Sequence, residues 1–348
     1  MAIEYRRRWE TRRGGRRRDD ARKEEAENPK EPEGYYGLPV IHGPHWGGLV
    51  VAYFYLGGIA GVSYALASIA EALGGPGNRQ IARTGRYLAL ATMLPCPVLL
   101  ILDLGRPERF HHMLRVLKIR SPLSVGTWTL LTFNGFAGLS AVAQAAEDGL
   151  LGRSTLPAKL GRALPARAIG AAGIAPAFFL SGYTGTLLGA TAVPLWARNA
   201  LLLGPLFLAS SVSNASAALT LLLAAQPQAQ HDNLARLEGL ESVAQAAELG
   251  LLLAAQARLG PTIGRPLNAG RLGALYRFGV LGAGIGGPLA LRLFNRLRGR
   301  RAGRTESALV SLLTLASGLL FRYVILYAGR QSADDPQATF AMTRADEH

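Results

Sequence analysis

The sequence predicts an all-α, polytopic membrane protein that crosses the bilayer about eight times. Three observations predict it. Only 18% of the 348 residues are Asp, Glu, Lys or Arg, and many of these crowd into the first 33 positions. Residues 168–197 and 199–230 then carry no charge at all, apart from nothing stronger than Gln and Asn. About 20 helical residues match the hydrocarbon thickness, so such stretches read as spans. Finally, the chain is rich in Gly (42 residues) and Ala, small side chains that let helix backbones approach closely in lipid.

The elements follow in order. Residues 1–33 have too little apolar surface to fold alone. They carry Arg6–Arg8, Arg12–Arg13 and Arg16–Arg18, then mixed charges and Pro. Residues 1–44 are therefore read as an extramembrane arm, 45–329 as the membrane domain and 330–348 as a tail. The first span is expected at Trp46–Ala70. The second, Tyr87–Leu104, is expected to kink at Pro95-Cys96-Pro97. The third is Leu123–Ala146 and the fourth, containing Pro176, Ala168–Ala190. The fifth is Asn199–Ala225 and the sixth, with Glu241 and Glu248, Leu240–Ala257. The seventh, Leu272–Leu291, is glycine-rich. The eighth is Ser307–Tyr327. Eight spans put both termini on one side. Lys and Arg in the connections nearly balance, and the Arg-rich arm tips the termini toward the cytoplasm. The expected location is the cell membrane.

Composition narrows the function. The net charge of +15 comes largely from Arg flanking apolar segments, the position of membrane-edge anchors, so nucleic acid is not the expected partner. Cys96 is the only cysteine, which excludes an internal disulfide and a cysteine-ligated iron–sulfur cluster. The histidines (42, 45, 111, 112, 231 and 348) all fall outside the spans, which argues against a transmembrane haem and a buried His-based metal site. No cleavable signal peptide is visible before residue 38.

Ionisable groups in spans are costly and mark sites or pathways. With both termini on one side, His45 and Trp46 open the first span there and Asp103 closes the second. Tyr183 lies in the nearer half of the fourth, and Arg322 is expected near the same level on the eighth. These residues are read as sharing a membrane-edge pocket suited to a quinone, whose carbonyls need donors, whose reduction needs protons and whose tail needs lipid. Bland readings stand beside this one. Asp103 with Arg106 also reads as a helix-end ion pair, Tyr183 as a packed tyrosine bonded to a backbone carbonyl, and Trp46 as an interfacial belt residue. Glu238, Glu241 and Glu248 fall on roughly one helix face. Glu248, near mid-span, suits a proton relay or a partner for a buried Arg. Glu71 and Glu147 are further proton-transfer candidates. The basic segment 106–120 suits an acidic partner.

On these residues the chain resembles the NrfD/PsrC family of polysulfide-reductase-type membrane subunits. The most specific match is Asp103-Leu104-Gly105-Arg106-Pro107-Glu108-Arg109-Phe110, followed by Ser121–Trp128. Gly57-Gly58, Tyr183-Thr184-Gly185 and Arg322-Tyr323-Val324 ahead of Ala328-Gly329 add to it. The resemblance implies eight helices in two four-helix bundles and a quinone-reactive anchor with no haem or iron–sulfur cluster of its own. It implies a ferredoxin-like iron–sulfur partner, often joined to a molybdopterin subunit. It assigns the quinone (menaquinone or ubiquinone) to His45 and Tyr183, and to Asp103. Tyr53 stands at the depth of a family asparagine. A secondary transporter or ion channel is the alternative reading, and a purely structural anchor a third.

Overall fold

The computed structural model describes residues 41, 43–152, 154–226, 230–300 and 302–345. The Arg-rich arm, His42, Arg153 and His348 lie outside the described residues. Among the described residues every regular element is helical.

Helix α1 (Gly48–Leu73) is buried along most of its length. Its glycines explain how it sits so deep. A Cβ on Gly58 would lie 2.3 Å from Ser211 Oγ, and one on Gly61 would lie 2.4 Å from the Ala177 carbonyl. The backbone can therefore approach two neighbouring helices where any side chain would hold them apart. Helices α2 (Pro76–Met93) and α3 (Pro95–Asp103) form the second rod, interrupted at Leu94. Pro95 cannot donate a backbone hydrogen bond, so the expected break falls at its predecessor. A 3₁₀ segment (Pro107–Leu114) leads to α4 (Pro122–Glu147), whose first turn is capped by Ser121.

Helix α5 (Leu156–Ala163) is short. Helix α6 (Ala166–Gly189) accommodates Pro176. The single turn α7 (Pro194–Ala197) buries Trp196. Helix α8 (Ala200–Ala224) follows. Helix α9 (His231–Ile263) is kinked at Gly260, which takes a positive φ of 65° ahead of Pro261. The turns α10 (Arg265–Asn268) and α11 (Gly270–Ala274) lead into a π-helical run, Leu275–Gly286, and then α12 (Gly287–Leu297). Helices α13 (Arg304–Asp334) and α14 (Pro336–Ala345) close the chain.

Six rods are long and apolar enough to cross a membrane: 48–73, 78–103, 166–189, 200–224, 270–297 and 304–334. The two remaining long rods, α4 and α9, fall outside that criterion; α9 carries Glu, Gln and Arg among its apolar residues. Element boundaries also shift. The sixth rod begins at His231 rather than Leu240, and the eighth runs to Asp334, through the expected domain edge at 329.

Contacts sort the rod ends into two faces. At the proximal face, where α1 begins, Trp46 stacks on Trp196 at 5.9 Å and its carbonyl accepts from Arg330 at 3.3 Å. At the distal face, where α1 ends, Arg86 binds Glu71, and Arg83 pairs with Asp148 at 2.8 Å.

Candidate functional site

A cavity of about 540 Å³ opens at the proximal face among the ends of α1, α3, α4 and α6 and the 3₁₀ segment. His45, Trp46, Tyr53, Asp103 and Tyr183 all line it. Chain geometry brings them there. His45 and Trp46 precede α1, and Tyr53 lies a turn and a half inside it. Asp103 is the last residue of α3. Tyr183 is placed by a missing side chain opposite: a Cβ on Gly126 would sit 2.2 Å from its hydroxyl, so only glycine lets the phenol lie against α4.

The polar groups differ in how far they are committed. Tyr183 donates to the Pro122 carbonyl at 2.5 Å and stacks on Phe179 at 5.5 Å. Its hydroxyl proton is spent on the backbone and the Gly126 N–H approaches its oxygen, which leaves one lone pair to accept. The Tyr53 hydroxyl has no partner among the described residues, although the ring is buried. His45 is exposed and likewise unpartnered. Asp103 makes no ion pair with Arg106 among the described residues. The rest of the lining is apolar, including Pro97, Leu100, Leu123, Leu130 and Leu131. Leu123 and Leu131 are about half exposed on the outer face of α4. The cavity thus has a polar rim and an apolar body reaching toward lipid. Residue patterns had not singled out Asn134, which lines its inner end. Asn134 follows Thr127 and Leu130 at helical spacing on α4, a face legible only once α4 was placed.

Arg322 is not at this cavity. The expectation that put it at the membrane edge assumed a helix ending near Tyr327. Helix α13 instead runs seven residues further, to Asp334, which sets Arg322 deep in the bundle. It is 1% exposed and held between α8 and α13. Its guanidinium donates to Ser210 Oγ, to Ser211 Oγ at 3.2 Å and to the Gly318 carbonyl at 3.3 Å. The rings of Phe207 and Phe321 flank it, each centred 5.3 Å away.

Glu248 lies buried within electrostatic reach of Arg322 and beside Ser210. Toward the distal face come further polar groups. Gln245 Nε2 donates to Thr314 Oγ1 at 3.0 Å, and Thr314 donates to Glu241 at 2.8 Å. Arg292 meets Glu241 at 2.6 Å, outside good hydrogen-bonding angle, and donates to Gln245 at 3.2 Å. Glu238 accepts from Ser307. Sequence reading found the three glutamates on one face but not Arg292, Thr314 or Ser210. For Thr314 the signal was the Ser307, Ser311, Thr314, Gly318, Arg322 spacing of three or four, which only a partner helix makes meaningful; Arg292 and Ser210 lie on other helices and had none.

Glu71 sits far from the cavity, at the distal end of α1. It binds Arg86, which also donates to Gln144 at 2.7 Å. Close by, Asp148 is partly buried, which pushes its carboxyl up, but bonds from Tyr87, Arg83 and Gln144 together hold it below the ordinary carboxylate range. Glu147 is exposed.

No curated protein matches the chain closely enough to count as a relative. A family model does match, described as polysulphide reductase, NrfD, and it covers residues 41–333. That span takes in the cavity, the buried Arg322 and Glu248 and all but the last residue of the long rods, so the chain belongs to the polysulphide reductase NrfD family of membrane proteins.

Proposed function

We propose that this chain is the quinone-reactive membrane subunit of a respiratory oxidoreductase. It exchanges electrons between an iron–sulfur partner and the membrane quinone pool. One observation carries this reading: a phenol without a partner, an imidazole and an unpaired carboxylate share one apolar-bodied cavity at the membrane edge. A volume of about 540 Å³ lies within the usual range for small-ligand sites. The residues fit a quinone head group, because Tyr53 offers a free donor and Tyr183 a free acceptor.

A quinone takes up or gives two electrons and two protons. The side chains supply the rest. Tyr53 donates a hydrogen bond to a carbonyl, and Tyr183, held by Pro122, accepts one from a hydroxyl. His45 and Asp103 stand at the wet rim, where a proton can pass between cavity and water. Trp46, stacked on Trp196, closes one wall. The exposed basic segment beside the rim (Arg106, Arg109, Arg115, Lys118 and Arg120) suits the acidic face of a ferredoxin-like partner, itself joined to a molybdopterin or other catalytic subunit. This reading includes eight spans in the cell membrane, cytoplasmic termini, no haem or iron–sulfur cluster in the chain, and proton transfer by Glu248 and Glu71.

Quinol oxidation by the intact complex, assayed with Tyr53→Phe, Tyr183→Phe and His45→Ala, tests it. Each is expected to lower kcat/KM at least fivefold with assembly unchanged. Wild-type kinetics in all three variants would remove the cavity from the reaction. A transporter or channel is favoured instead by the buried row around Glu248 and Arg322. Ion flux through vesicles without quinol present would distinguish it.

A further inference from the structure

The polar row behind Arg322 does more than compensate charge. It follows a single face of α9, on which Glu238, Glu241, Gln245 and Glu248 recur every three or four residues. Ten residues of helix rise about 15 Å, half the hydrocarbon thickness. The facing side of α13 supplies Ser307, Ser311, Thr314 and Arg322. The outer end is open. Glu238, Ser242, Arg292 and Ser307 line a second cavity, of about 630 Å³, which also takes in His231, Arg296 and Arg300. Apart from Arg300, in the connection after α12, those residues belong to α9, α12 and α13.

The inner end is different. Beyond Arg322, toward the proximal cavity, come aromatic rings. Phe321 packs edge-on to Phe207 at 5.4 Å and Phe207 to Phe54 at 6.0 Å. Phe54 itself lines the proximal cavity. The three rings offer no donor or acceptor, so the row stops against them. Along the row, Ser311 Oγ, Asn214 Oδ1 and Arg322 Nε are buried with no partner among the described residues. Buried polar atoms of this kind are ordinarily met by water. The π-helical run contributes too: its Gly284 carbonyl accepts from Gln245 at 3.4 Å.

We propose that this row is a one-sided proton well, through which Glu248 exchanges its proton with the distal face and with that face alone. The proposal rests on the assignment of Glu248 to proton transfer and adds its route and sidedness. A proton entering from the distal cavity passes the Glu241–Arg292 pair and the Gln245–Thr314 pair. It converts the Glu248 carboxylate to a carboxylic acid. Arg322 keeps its charge throughout, and leaving reverses the same steps. The charged group facing Glu248 is Arg322, which itself interacts with Glu248 and with Tyr55 of α1; Glu241 and Arg292 lie two turns toward the distal face. The Phe54–Phe207–Phe321 stack keeps the well apart from the proximal cavity.

Oriented vesicles carrying the intact complex, in a Cys96→Ser background, provide the test. Ser242→Cys and Thr314→Cys are exposed to a membrane-impermeant methanethiosulfonate added to one face at a time. Labelling is expected at least tenfold faster from the distal face. Adding Phe207→Ala is expected to let Thr314→Cys react from both faces. Equal labelling from both faces with Phe207 intact, labelling from the proximal face only, or no labelling of either cysteine would overturn the proposal. In parallel, Glu248→Gln is expected to cut turnover-linked proton uptake about tenfold. Unchanged uptake would defeat the assignment of Glu248 itself, whatever the labelling shows.

Discussion

The proximal cavity and the distal row use polar residues in opposite ways. In the cavity, Tyr53, His45 and Asp103 have no partners among the described residues and face open space. In the row, Glu241, Arg292, Gln245 and Thr314 are spent on one another between packed helices. An unspent group near the surface costs the fold little and is ready for a ligand. A buried charge must be matched within the protein, because the desolvation of an unmatched ion is far larger than any contact it replaces. Binding residues are therefore expected to be replaceable without loss of stability, and row residues to be replaceable only in pairs.

The sharpest break of that contrast is Arg292→Met. It leaves Glu241 buried and uncompensated, and is expected to cost about 3–5 kcal/mol in thermal unfolding of the detergent-solubilised protein. The double variant Arg292→Met, Glu241→Met should recover most of the loss. If it does not, the two residues are not a matched pair.

Gly126→Val comes next. Its side chain collides with Tyr183, and overpacking of this kind costs about 1–3 kcal/mol. Quinol turnover is expected to fall by more than tenfold, since the phenol must leave the cavity wall; turnover near wild type would show that Tyr183 is not needed where it stands. Tyr53→Phe separates the regions most cleanly. Stability should stay within about 0.5 kcal/mol, because no hydrogen bond is lost, while KM for quinol rises about fivefold, equivalent to about 1 kcal/mol. A large stability loss would mean that the hydroxyl has a structural partner.

The last effect lies at the distal end of α4 and depends on pH. Asp148 has a lowered folded-state pKa, so its stabilising contribution is complete above the ordinary carboxylate range and is lost as pH falls through the folded value. Melting profiles of wild type and Asp148→Asn should differ by about 1–2 kcal/mol at pH 7 and converge in acid. A constant gap would place the effect in packing rather than charge.

Much of this was legible in the sequence. Uncharged runs gave the helical membrane fold, because a hydrocarbon slab demands about 20 apolar residues whatever they pack against. The same logic put His45, Trp46 and Asp103 at helix ends and Tyr183 inside one, and alternation of direction put those ends on one side. The quinone role of these residues is a proposal; their common cavity is a matter of geometry.

Three things only the tertiary structure decided. The depth of Arg322 depended on where α13 stops, and the polar stretch Arg330–Asp334 ends the apolar run without ending the helix. The ion-pair partner of Glu241 lies 51 positions further along the chain, at Arg292, and the charge nearest Glu248 lies 74 positions further, at Arg322; sequence spacing carries no information about which helix faces which. Nor did composition reveal that Gly126 makes room for Tyr183, since a glycine's use is set by what approaches it. The sequence by itself determined what must be buried in lipid, because that is a property of each segment against a uniform solvent. Which polar groups end up paired, and which stay free to bind, was decided by packing between helices distant in the chain.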